Sequence, residues 1–249
     1  MKTLKNIAGG LFTIWAGVVF IATMLIFYIP MYVTKYWEEP KRTALFINIT
    51  RIWMAVFLPL SFIRLTIKGK EHFKKGENYI VVCNHNSMMD VPVSSPGIPG
   101  PNKTIAKIEM TRIPVFGMIY KRGSVLVDRN SDQSRKDSFS EMKRVLELGM
   151  HMCIYPEGTR NKTDKPLKEF HEGAFRLAVQ TGKPIMPAII FNTRIVLPFD
   201  KSFYLWPHPI AMHFLDPVYI DSNVSAVELK ERIFRIMWDY IEASKNQRL

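Results

Sequence analysis

The stretch Tyr79–Asp90, Tyr-Ile-Val-Val-Cys-Asn-His-Asn-Ser-Met-Met-Asp, limits the possible folds more than any other. Tyr79–Cys83 is a short, continuous apolar run rich in β-branched residues. It lacks the alternation of a strand with one wet face. It therefore belongs to a strand buried on both faces, in a sheet covered by helices. The run stops on Asn84-His85-Asn86-Ser87, four polar residues that cannot extend it. A histidine is thus placed at the carboxyl end of a buried strand, with Asp90 five residues on.

On a regular helix, residues five apart point about 140° away from each other. His85 and Asp90 can meet only if His85 lies in the strand-to-helix turn and Asp90 in or near the following helix. Asp90 would then fix the imidazole tautomer and leave the other ring nitrogen as a base. Two plainer readings compete. One is a solvated histidine at a strand end; the other is a helix capping box, Ser87-x-x-Asp90. Pro92 counts against the box, because at the fifth helical position it would remove a needed N–H and clash one turn back.

The remainder alternates strand-like runs with helical patterns. Strands are expected at Leu65–Lys70, Thr104–Lys107, Ser124–Val127, Met152–Tyr155, Pro184–Phe191, Phe203–Trp206 and Ile210–Leu215. Met110–Arg122 reads as a helix interrupted by Pro114 and Gly117. Ser131–Gly149 is amphipathic, with Phe139, Met142, Val145 and Leu146 on one face and Ser134-x-x-Asp137 able to cap it. Glu172–Thr181 is a helix ending at Gly182, and Ser225-x-x-Glu228 opens a last one. Pro92–Pro101 and Asn161–Lys168 read as loops. This alternation predicts an α/β fold with a mixed, largely parallel sheet flanked by helices.

The first 64 residues have a different character. Asn6–Thr34 carries no charge and exceeds the roughly 20 apolar residues that cross a bilayer. Pro30 is expected to kink or end its helix. Ile52–Ile63, between Arg51 and Arg64, offers only about 12 residues, about 18 Å of helix, too short for a hydrocarbon core of about 30 Å. These segments predict an N-terminal membrane-embedded helical pair, re-entrant or partly immersed, with a true span by Asn6–Thr34 as the alternative. Residues 1–64 would form the anchor and residues 65–249 the catalytic domain.

Charge narrows the partners. The formal net charge is +12, which suits anionic membrane lipid, phosphorylated substrates or nucleic acid. No zinc-finger spacing or RNA-stacking signature is present, so nucleic acid is disfavoured. His72, His151, His208 and His213 lack metal-ligand spacing, and His171-Glu172 has no second histidine four positions after the first, so no metal or other cofactor is expected. Cys83 and Cys153 lie in apolar runs and read as buried free thiols. His85, Arg129 and Glu157–Arg160 each follow an expected strand. If those strands are parallel neighbours, these groups share one crevice at the strands' carboxyl ends.

Asn84-His85-x-x-x-x-Asp90, followed about seventy residues later by Pro156-Glu157-Gly158-Thr159-Arg160, resembles the 1-acyl-sn-glycerol-3-phosphate acyltransferase family. So do Lys107-x-Glu109-x-x-x-x-Pro114-x-x-Gly117, Gly123-x-x-x-x-Asp128-Arg129, Gly173-Ala174-Phe175-x-Leu177-Ala178 and the Pro187 block. The resemblance runs from about Gly69 to Asp221. It implies transfer of a fatty acyl chain from acyl-CoA or acyl-carrier protein to the sn-2 hydroxyl of lysophosphatidic acid, giving phosphatidic acid. It also implies a membrane location with the catalytic domain on the cytoplasmic face.

In that chemistry His85 is the general base and Asp90 its orienting partner. Arg129 and Arg160 offer planar donors to the acceptor's phosphate, and Lys107 a mobile charge. Gly158 permits close backbone approach and Thr159 adds a hydroxyl. By the resemblance, Glu157 and Arg160 help bind the glycerophosphate, Glu157 through an arginine or a glycerol hydroxyl. Backbone N–H groups near Asn84–Ser87 are candidate oxyanion donors. The family often has lysine where this chain reads Phe170-His171-Glu172-Gly173, so a basic contact from that loop is in question. Alternatives are another lysolipid as acceptor, or a non-catalytic protein that binds anionic lipid.

Overall fold

The computed structural model describes residues 2–201 and 204–244. Two helices come first, α1 (Lys2–Val33) and α2 (Lys41–Leu60). The α/β part follows as β1 (Leu65–Lys68), β2 (Ile80–Cys83), α3 (Asp90–Gly97), β3 (Asn102–Lys107), α4 (Phe116–Gly123), β4 (Ser124–Val127), α5 (Asp132–Glu147) and β5 (His151–Ile154). It closes with α6 (Gly173–Thr181), β6 (Ile185–Phe191), the short α7 (Thr193–Val196), β7 (Ile210–Phe214) and α8 (Ala226–Ser244).

The strands form one seven-stranded sheet in the order β1-β7-β6-β2-β5-β3-β4. From β6 to β4 every neighbouring pair is parallel; β7 runs antiparallel to β6, and β1 parallel to β7. The sheet is therefore mixed and largely parallel, as the alternating pattern predicts. β2 is enclosed by β5 and β6 and buried at every residue, which is why its sequence is apolar without alternation. Its side chains divide between two cores. Val81 and Cys83 face a core shared with α1 and α2, whereas Ile80 and Val82 face one built with α5, α6 and α8.

Several local expectations change. Pro30 does not end α1, which continues to Val33. α2 is twenty residues long, not twelve; Arg51 does not interrupt it. Its guanidinium instead donates to the Pro96 and Ile98 carbonyls at the end of α3, at 2.9 and 3.0 Å, a favourable place for a cation. Both α1 and α2 are long and apolar enough to cross a membrane.

Residues 90–97 are helical, not a loop. Pro92 is the third residue of α3, where its missing N–H would have had no intrahelical partner. The cap of α5 is Ser131, whose side chain accepts from Ser134 N, not Ser134 itself. The strand expected at Phe203–Trp206 begins outside the described residues, and Tyr204–Trp206 are not strand. α8 does open with the reciprocal box: Glu228 N donates to Ser225 Oγ, and Ser225 N to Glu228 Oε2.

Candidate active site

Because β6, β2, β5, β3 and β4 are parallel neighbours, their carboxyl ends share one edge. His85 follows β2, Tyr155–Arg160 follows β5, Arg129 follows β4, Lys107 ends β3, and Thr193 follows β6.

His85 lies in the turn between β2 and α3, and Asp90 is the first residue of α3. Their separation is 2.7 Å, His85 Nδ1 to Asp90 Oδ2. Asp90 is fully buried, and a buried carboxylate needs donors. Its Oδ2 also accepts from the Asn86 and Ser87 N–H groups at 2.6 and 2.8 Å, and its Oδ1 from Thr193 Oγ1 at 2.5 Å. Acting only as an acceptor, this carboxylate selects the tautomer with the proton on Nδ1. Nε2 is then the basic nitrogen, and it has no hydrogen bond among the described residues. The ring rests on Tyr155, centroids 4.4 Å apart, and its side chain is 19% exposed. Tyr155 is in turn held by Ser94, hydroxyl to hydroxyl at 2.6 Å.

Glu157 occupies a different place from the one expected. It is fully buried and pairs with no arginine among the described residues. Oε1 accepts from His85 N at 2.7 Å, and Oε2 from Lys168 N at 2.9 Å. Both oxygens thus hold backbone, and one fixes the histidine's own peptide. Burial pushes the Glu157 carboxyl up to about 7 against the pull of these two donors. The oxyanion expectation changes for the same reason. The N–H groups of His85, Asn86 and Ser87 all point to carboxylates of the protein, so they do not face a substrate.

Arg129 is exposed and donates from Nη1 to the Gly158 carbonyl at 2.5 Å, joining the loops after β4 and β5. Gly158 has φ +68°, and a Cβ there would lie 2.7 Å from His171 Cδ2. The close approach that glycine permits is therefore to His171. Thr159 is exposed and accepts from Lys168 Nζ at 2.9 Å, a basic group that reaches this edge from just before Phe170–Gly173. Arg160 is half-buried, and Lys107 is exposed at the end of β3. Neither has a hydrogen bond or ion pair among the described residues.

Sequence reasoning missed Thr193, Tyr155 and Asn84 as parts of this site. Thr193 was accessible in principle, since it follows the strand expected at Pro184–Phe191. Asn84 fastens β2 to β6 by exchanging two hydrogen bonds with the Ile190 backbone, at 3.0 and 2.7 Å. Cys83, beside Asn84, is fully buried. The neighbouring Cys153 thiol, 3.8 Å away, and burial push its pKa well up, and both thiols are free and buried.

The fold is a mixed, largely parallel α/β sheet, with a carboxylate-held histidine at the edge where ligands bind in open sheets of this kind. The family model described as acyltransferase matches residues 64–191, just over half of the chain, and the chain belongs to that family. A coconut 1-acyl-sn-glycerol-3-phosphate acyltransferase is 32% identical over 64% of this chain and 51% of its own length. The Borreliella burgdorferi protein of the same name is 27% identical over 71% of this chain and 73% of its own. The chain thus spans about half the length of the coconut relative. The crystal structure of the 1-acyl-sn-glycerophosphate acyltransferase PlsC from Thermotoga maritima superposes with a TM-score of 0.82, covering 100% of both chains at 22% identity. That likeness shows the fold.

Proposed function

We propose that this protein transfers a fatty acyl chain from a thioester to the sn-2 hydroxyl of 1-acyl-sn-glycerol-3-phosphate, forming phosphatidic acid. The observation that carries this is the 2.7 Å contact between His85 Nδ1 and a fully buried Asp90, at the edge where Arg129 meets Gly158. Relatives named for this activity support the choice of acceptor.

A glycerol hydroxyl is a poor nucleophile until its proton is removed. His85 Nε2 takes that proton as the oxygen attacks the thioester carbonyl. The new C–O bond forms, the C–S bond breaks, and the proton passes from His85 to the leaving thiolate. Asp90 stabilises the imidazolium between these events. No covalent enzyme intermediate is required. Arg129, Arg160 and Lys107 supply positive charge for the acceptor phosphate, with Thr159 beside them. Glu157 and Gly158 shape the loop that presents these groups. The donor is acyl-CoA or acyl-carrier protein; the +12 net charge suits either anionic donor. Residues 1–64 anchor the protein in anionic membrane, and residues 65–249 work on the cytoplasmic face.

Thiol release is the direct test, with purified protein, both donors, and lysophosphatidic acid against other lysolipids. Wild type should release thiol with lysophosphatidic acid. His85→Ala should abolish release yet still associate with lipid. Failure to acylate any phosphate-bearing acceptor would remove the roles given to Arg129 and Arg160. Release unaffected by His85→Ala would remove the general-base role from His85, and lipid association without thiol release in wild type would favour the non-catalytic lipid binder.

A further inference from the structure

A second cationic concavity lies away from the His85 group. It is a cavity of about 530 Å³ between the end of α1, the start of α2, the 3-10 turn Ile108–Arg112 and α4. None of His85, Asp90, Lys107, Arg129 or Glu157–Arg160 lines it. Its charged lining consists of Arg42, Lys103, Arg112, Lys121 and Arg122 against a single carboxylate, Glu39.

That carboxylate is already committed. Glu39 accepts from Arg42 at 2.9 Å, from Lys103 at 3.0 Å and from Thr43 N at 3.1 Å. Arg112, Lys121 and Arg122 have no ion pair or hydrogen bond among the described residues. Burial lowers the Arg122 pKa, and the like charge of Arg42 adds to this against the pull of Tyr32 and Glu39. Holding several cations around one cavity costs electrostatic energy that a bound anion would recover. Guanidinium groups suit phosphoryl oxygens in particular.

The surroundings point to a lipid as the source of that phosphoryl group. Tyr28 and Tyr32 of α1 form one wall, their rings stacked with centroids 6.3 Å apart. Ile29 and Val33, beside them on the same helix, are exposed, as are Ile113 and Val115 on the opposite lip. Val115 has φ +65°, and Phe116 N donates to the Pro114 carbonyl at 2.7 Å across it. This is a strained γ-turn for a β-branched residue, the kind of strain that gathers at ligand-contacting segments. Cations and tyrosines between apolar lips, at the end of a long apolar helix, match the polar and apolar layers of a bilayer surface.

We propose that this cavity is a binding site for the phosphodiester headgroup of an anionic phospholipid, separate from the site of acyl transfer. The proposal rests on the membrane association inferred above and not on the acyl-transfer reading. The probe is dihexanoyl phosphatidylglycerol, whose phosphodiester is neither acceptor nor product of the proposed reaction. Its affinity for the full-length protein in neutral detergent would be measured by calorimetric titration. Dihexanoyl phosphatidylcholine and inorganic phosphate serve as comparison ligands.

Saturable binding by wild type, weakened at least tenfold in Arg112→Gln/Arg122→Gln, is expected. Binding should be unchanged in Arg129→Gln/Arg160→Gln. It should also be unchanged in Lys75→Gln/Lys136→Gln, which removes the same charge elsewhere on the surface. Circular dichroism checks that each variant is folded, and Lys121→Gln, a milder change, should weaken binding at least threefold. Equal loss in the Lys75/Lys136 control, or loss only in the Arg129/Arg160 variant, would overturn the site. Phosphate or phosphatidylcholine binding as tightly as phosphatidylglycerol would overturn the anionic-lipid assignment. Flotation with neutral vesicles separately reports anchoring by α1 and α2, so failure of the anchor and failure of the cavity are distinguishable.

Discussion

Asp90 takes four hydrogen bonds, and each has a separable consequence. Asp90→Asn replaces one acceptor oxygen with an NH2 group. With the NH2 facing His85, the amide would select the wrong ring tautomer. With it facing Thr193, the hydroxyl would have to reverse. The expected loss in kcat is on the order of 10⁴-fold. Thr193→Val is shape-conserving and removes one charge-assisted hydrogen bond, worth about 1.5–3 kcal/mol. If that loss falls on the geometry of the imidazolium, kcat should drop about tenfold or more while KM for the acceptor stays near wild type. Rescue by Thr193→Ser, which restores the hydroxyl, separates positioning from general damage. Equal kcat in Thr193→Val and wild type would show that Asp90 needs no help from Thr193. The pairing of His85 with Asp90 was legible because five residues of sequence and one strand end define its geometry. Thr193 was not, because its partner is 103 residues away and only the order of strands brings them together. The oxyanion donors were misjudged for a related reason: sequence does not show that Glu157, 72 residues on, claims the His85 N–H.

At the scale of elements, legibility followed how local the cause was. β2 and α5 could be read from their apolar patterns, and α8 from its pattern and cap, since these signals lie within each segment. α2 was cut short because Arg51 looks like a boundary until α3 supplies carbonyls to receive it. α3 was hidden by its prolines, which break helices in general; Pro92 falls in the first turn, where a missing N–H costs little, and Pro96 falls at the helix's end. Gly117 illustrates a motif residue whose reason is packing. A Cβ there would run into the Thr111 carbonyl oxygen, inside the junction between the 3-10 turn 108–112 and α4. Backbone cannot rotate away as a side chain would, so Gly117→Ala should destabilise by about 1–3 kcal/mol. The check is the thermal midpoint in detergent beside Gly10→Ala, where an added Cβ meets nothing within 4 Å. If both variants melt alike, the junction is looser than this contact implies.

The whole molecule does not divide cleanly at residue 64. Phe46, Ile47, Trp53, Met54 and Phe57 of α2 belong to the same core as Val81, Cys83 and Met186 of the sheet. A chain beginning at Leu65 would expose that face of the sheet, so it should be recovered as aggregate and not as an active soluble domain. Soluble, active protein from that truncation would show that the helix pair is an appendage. The two ends of β5 raise a subtler question about pH. His151 opens the strand, accepts from Tyr79 N at 3.0 Å, and is lowered to about 4 by burial, with a hydrogen bond to Pro99 pulling the other way. A histidine held neutral favours the folded state above its unfolded pKa of about 6.5. That contribution is lost as pH falls from about 6.5 to 4. Glu157, past the other end, is raised to about 7. Its contribution is present below the ordinary carboxyl value of about 4.5 and is lost as pH rises through 7. Each shift corresponds to about 3 kcal/mol, with opposite signs over nearly the same window, so in wild type they largely cancel. Single variants should separate them. His151→Asn, which can keep an acceptor for the Tyr79 N–H, should gain thermal stability on acidification from pH 7 to 4.5 relative to wild type. Glu157→Gln should lose it. Melting curves for the three proteins across that range decide the matter; parallel pH dependence in all three would mean that neither group is held in the charge state its burial dictates.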